Sequence, residues 1–177
     1  MLLNEALMLV RAKLLQQFAI RHPGVALGVK TLPQPMQSGP SSTPTAYLYS
    51  FGNRPVGSPR VNTMQNGQRR QIDSLELSIQ VSMRSLGSTD PAALTSQDYA
   101  TMIHSIMQGP DFIKAIQPNA TILRITDIRP TTFKDDSDQY SNVPSLDIVL
   151  KHQNVYEGGV HLAARFESDI WAVPDII

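Results

Sequence analysis

The run from Ile72 to Arg84 constrains this chain more than any other feature. Leu75, Leu77, Ile79, Val81 and Met83 take every second position, separated by Glu76, Ser78, Gln80 and Ser82. Side chains alternate faces on a strand and repeat about every 3.6 residues on a helix, so this run predicts a strand with one buried face and one polar face. The segment before it, Gly52 to Gln71, has no apolar period. It holds Arg54, Arg60, Arg69 and Arg70 and no acidic residue. A long basic loop on the end of a well-specified strand suggests a rigid body presenting an arm to a partner. The plain alternative is a solvated loop kept soluble by its charge.

Arginine suits a docking role because its planar fork pairs bidentately with carboxylate or phosphate. The residues between the arginines include Pro, Gly, Asn and Gln, with no aromatic ring for bases to stack on. That composition argues against sequence-specific or single-strand nucleic-acid reading. An acidic protein surface, or the phosphates of passing DNA, remains as the target.

With 177 residues, the chain predicts one structural domain, 1–177, large enough for a core without covalent staples. Cysteine is absent, which excludes disulfides, thiolate metal sites and a cysteine nucleophile. Leu2, Leu3, Leu7, Met8, Leu9 and Val10 make an apolar start, but Glu5 interrupts it and Arg11 and Lys13 follow it. That order is wrong for a secretion signal, and no run approaches the roughly 18 apolar residues that span a bilayer. A soluble protein without membrane contact is expected. Residues 1–84 carry nine Lys/Arg against three Asp/Glu, giving +6, and residues 85–177 carry six against twelve, giving −6. If folding keeps these charges on separate faces, the polarity favours head-to-tail contacts between copies, which need two different complementary patches.

Leu3, Leu7, Val10, Leu14 and Phe18 recur at spacings of three or four, predicting a helix over Leu2–Arg21 that Pro23 and Gly24 stop. Val25–Thr31 reads as a short strand. A Pro- and Ser-rich excursion, about 33–44, leads to a second strand, Thr45–Phe51. This strand and Ile72–Arg84 would pair around the loop excursion 52–71. Asp90 as N-cap with Pro91 opens a helical region, in which Tyr99, Met102, Ile103, Ile106 and Met107 form the apolar stripe. Asp111–Ile116 adds a short helix. Thr121–Phe133, broken at Pro130, and Ser145–Tyr156 read as strands around the polar turn Asp135–Asp138. Phe166, Ile170 and Trp171 could anchor the tail. The fold class is α+β: a largely antiparallel sheet, helices packed on one face, and a long protruding β-hairpin or loop.

No catalytic, cofactor or metal site stands out. His22, His104, His152 and His161 are scattered, and no pair has the spacing of a helical zinc site. Counting an EF-hand loop from Asp136 leaves Tyr140 and Ser141 where a ligand and a glycine are required. No serine lies in a Gly-x-Ser-x-Gly elbow, and no Gly-Lys-Ser/Thr follows Gly52 or Gly57. A hydrolytic or small-molecule site would need His104 to meet Asp98 or Asp127.

The element order resembles that of tail-terminator and neck (head-to-tail joining) proteins of long-tailed, especially contractile, bacteriophages. The stretches that fit are the opening helix, the strand pair Thr45–Phe51 and Ile72–Arg84, the helix near Ser96–Gln108 and the closing strands. Tyr49 to Gly57 (Tyr-Ser-Phe-Gly-Asn-Arg-Pro-Val-Gly) looks like the start of the corresponding loop in some neck proteins. The resemblance implies a virion structural protein, not an enzyme, made in the host cytoplasm without a cofactor. It implies a homo-hexameric ring at the head-proximal end of the tail that stops the tube and receives the head connector. Implied partners are further copies of itself, tail tube and sheath proteins, a connector or collar protein, and non-specifically the DNA in the lumen. A tube, collar or baseplate component is the alternative within the same class.

Overall fold

The computed structural model describes residues 3–32, 43–63, 69–85, 90, 92–117, 119–130, 132–134 and 140–158. The tail anchors Phe166, Ile170 and Trp171, the acidic turn and most of the 33–44 excursion lie outside them.

Helix α1, Leu3–Arg21, buries Leu7, Val10, Leu14 and Phe18, the stripe its spacing defines. Strands β1 (Gly28–Leu32), β2 (Thr45–Pro55), β3 (Arg60–Thr63) and β4 (Arg69–Arg84) follow. Helices α2 (Ser96–Gln108) and α3 (Pro110–Ile116) come next, then β5 (Ala120–Ile125), β6 (Thr132–Lys134), β7 (Tyr140–Asn142) and β8 (Ser145–Gly158). The sheet runs β1-β2-β4-β8-β5, with β3 also on β4, and β6 pairs with β7 in a second sheet. All its pairings are antiparallel except β1 on β2. The chain is therefore α+β, with a mostly antiparallel six-stranded sheet and three helices among the described residues.

The alternation over 72–84 decides which face is buried. Leu77, Ile79, Val81 and Met83 lie in the core, and across the ladder Leu150, Ile148 and Leu146 stand opposite the first three. Opposed residues of an antiparallel pair share a face, so the three helices pack their apolar stripes onto this one. On the other face Tyr47, Val149 and Asp147 are also buried. There the Arg129 guanidinium donates to the Asp147 carboxylate at 2.6 Å, and the Thr126 hydroxyl accepts from the Asp147 N–H at 2.8 Å.

The second helix does not start where the sequence suggested. Its N-cap is Thr95, whose hydroxyl accepts from the Asp98 N–H while the Asp98 carboxylate accepts from the Thr95 N–H. This reciprocal box satisfies two orphan donors at once, which Asp90-Pro91 cannot do. Asp90 instead accepts from the Ala92 N–H in a preceding turn.

Candidate docking surface

The four arginines of the sequence-predicted arm stand mostly on strand. The stretch 52–71 carries the end of β2, all of β3 and the start of β4, with residues 64–68 outside the described ones. Strand order here follows from length. β4 has 16 residues, about 50 Å at about 3.3 Å per residue, and it outruns the helix layer. Its first residues still present backbone groups on both sides, so β3 pairs along one side and the end of β8 along the other. The β2 line breaks at Val56–Pro59, where Gly57 has φ +77°, a conformation glycine adopts without a Cβ clash.

The result is a three-stranded ribbon of β3, the first half of β4 and the last third of β8. None of its residues whose burial is described belongs to the buried core. Arg54, on β2 just before it, donates to Glu76 at 2.8 Å. The loop's lack of acidic residues did not leave it uncompensated, because cross-strand register brings Glu76 opposite it. Arg60 is exposed at the start of β3 opposite Ile72. Arg70 is half-buried and Arg69 lies next to it at the head of β4. The sheet thus gathers all four arginines at one end.

Sequence reasoning missed the apolar part of the same surface. Phe51, Val56, Val61, Val155 and Tyr156 are exposed, three of them by more than half. A register shift between Ser50 and Gly52 pushes Phe51 out of the alternation. Val61 and Tyr156 flank Gln71 on the helix side of the ribbon, and Val155 flanks Ile72 on the other. Alternation would have flagged Val155 and Tyr156 only if the end of the helix layer were known. Large apolar side chains rimmed by arginine are a composition that protein interfaces favour.

No catalytic constellation appears among the described residues. His104 Nε2 lies 3.0 Å from the Gln108 amide on its own helix. Asp98 is held by Thr95, whose hydrogen bonds keep its carboxyl below the usual range. A recess of about 330 Å³ at the start of β5 is lined by Gln117, Asn119, Thr121, Lys151, His152 and Gln153, and includes none of His104, Asp98 or Asp127. No group of three or more His, Asp or Glu that could hold a metal occurs among the described residues. No helix described is long and apolar enough to cross a membrane.

Among the described residues, the fold defines a class of α+β proteins whose mostly antiparallel sheet ends in a ribbon of arginines and exposed apolar side chains. Within that class, the family model described as E217 gateway protein gp29 matches residues 5–161. The chain belongs to this family of phage head–tail gateway proteins. No curated protein matches it.

Proposed function

We propose that the chain is a virion structural protein that forms a homo-hexameric ring where the phage tail meets the head. In this reading the ring closes the head-proximal end of the tail tube and receives the head connector, and packaged DNA passes through its lumen. The observation that carries it is the ribbon: Arg60, Arg69 and Arg70 share one sheet end with the exposed Val61, Val155 and Tyr156. Family membership over residues 5–161 supports a head–tail joining role. The net +6 of residues 1–84 against the −6 of residues 85–177 supports heterologous contacts, the kind that close rings.

Light scattering after size exclusion, across a concentration series, tests the ring. A discrete species of six copies supports it. An open-ended polymer, or a monomer at every concentration, refutes it. Replacing Arg69 and Arg70 with glutamate, and separately Arg60→Glu, tests the docking role. These variants should fold normally by circular dichroism and lose assembly most clearly at low salt, where the attraction is least screened. Unchanged assembly would remove the arginines from the interface.

A further inference from the structure

Strands β2 and β5 each carry a bulge, and each bulge turns an arginine. On β2 the register shifts between Ser50, opposite Ile79, and Gly52, opposite Ser78. Without the extra residue Arg54 would stand opposite Leu75 on the helix side; with it, Arg54 stands opposite Glu76 on the other face. On β5 the shift falls between Ile122, opposite Leu150, and Arg124, opposite Val149. Without it Arg124 would stand opposite the core residue Ile148. A bulge re-aims the side chains beyond it, and both of these re-aim a guanidinium away from the helices.

The face that receives them is basic. Lys151 stands on it, across Glu76 from Arg54 and opposite Thr121, and Arg60 and Arg70 follow toward the ribbon end. Arg54, Arg60, Arg124 and Lys151 are exposed. The same register places Glu76, Asp147 and Glu157 there. Glu76 already accepts from Arg54 at 2.8 Å, and Asp147 from Arg129 at 2.6 Å. Lys30 and Arg84 share the face at the far end of the sheet, so positive charge exceeds negative along its length. With strands about 4.8 Å apart and alternate residues about 6.6 Å apart, Arg54 lies about 10 Å from Lys151 and about 16 Å from Arg124 at the backbone. The phosphate strands that wall the major groove of B-DNA stand about 12 Å apart, a span that long basic side chains on this face can match.

What lies between the cations favours phosphate over an acidic protein surface. Ser74, Ser78 and Thr121 are polar and uncharged. Of the exposed apolar residues that the register places, Val61 and Tyr156 fall on the helix side and Val155 on this one, at the ribbon end. Phe51 and Leu123 are the bulged residues themselves. A protein interface has an apolar centre, whereas DNA-binding surfaces are more polar and more positive. We propose that the sheet face turned away from the helices, carrying Arg54, Arg124 and Lys151, contacts the backbone phosphates of duplex DNA without reading its sequence. The assignment rests on the head–tail reading for the DNA it would meet, and it makes this face the inner one.

Fluorescence anisotropy of a labelled random-sequence duplex, with the full chain over a series of salt concentrations, tests it. Arg124 and Lys151 are exposed, so their loss costs little stability. Arg124→Gln with Lys151→Gln should weaken binding on the order of tenfold at low salt. It should also reduce the slope of log K against log salt by about two, since each lost phosphate contact takes about one from it. Lys13→Gln with Lys114→Gln removes the same charge from α1 and α3 and should leave both nearly unchanged. Equal losses in the two pairs, or a native chain that does not bind the duplex at low salt, would overturn the proposal. So would an Arg124 and Lys151 variant that binds duplex normally but loses assembly, the result expected of an acidic protein partner. Light scattering keeps the two readings apart. A chain that stays monomeric yet loses duplex binding in the variant supports this face and refutes the ring. A six-copy species whose variant binds duplex as tightly as the native chain does the reverse.

Discussion

Leu77→Ala tests the face assignment on which the whole sheet rests. Leu77 is fully buried, stands between Leu150 on β8 and Asn53 on β2, and belongs to the main core cluster. Truncation removes three carbons from contact, about 2 kcal/mol at about 0.8 kcal/mol per buried methylene. The cavity left behind raises the expected cost to about 3 kcal/mol. For a domain of this size each kcal/mol lowers the thermal midpoint by about 2–4 °C, so the midpoint should fall by about 6–12 °C. Ser78→Ala, one residue along and on the opposite face, should change stability by less than about 0.5 kcal/mol. Paired urea titrations and calorimetry of the two variants read the difference directly. A similar loss in both, or a larger one at Ser78, would refute the alternation and with it the placement of the helices on one face.

Burial holds the His152 imidazole below its usual pKa of 6.5, and among the described residues neither ring nitrogen has a hydrogen-bond partner. The unfolded chain takes up the proton at the ordinary value and the folded one resists it, so stability should be full above about pH 6.5 and decline below it; urea midpoints from pH 7.5 to 5 should show the decline, and His152→Leu should flatten it. Thr95→Ala removes one half of the capping box and should cost about 1 kcal/mol, read as a lower midpoint with an unchanged m-value. Among the described residues Gly57→Ala meets no neighbouring atom, so its expected loss of about 1 kcal/mol would come from the positive φ; a stabilising effect in denaturation would contradict the turn between β2 and β3.

Local pattern carried most of the fold. The stripe Leu7, Val10, Leu14 and Phe18 is the buried face of α1, and Leu77, Ile79, Val81 and Met83 are buried in register. These positions were legible because amphipathic period is a local property that survives any tertiary arrangement. The helix start at Ser96 was less so. Asp90-Pro91 and Thr95-x-x-Asp98 both look like start signals, and only the reciprocal hydrogen bonds of the second close a cap.

The candidate site was legible by half. Sequence alone determined that Arg54, Arg60, Arg69 and Arg70 lie near one end of a long strand, because chain connectivity keeps them there. It could not show that Glu76 would stand opposite Arg54 or that Val155 and Tyr156 would join the same end, since those neighbours come from cross-strand register. Nor could it show that stretch 52–71 would be mostly strand: Arg60–Thr63 has no alternation of its own and is ordered by the free hydrogen-bonding groups of β4. Period is written along the chain, whereas pairing partners, and the point at which the helices stop covering the sheet, exist only once distant segments meet.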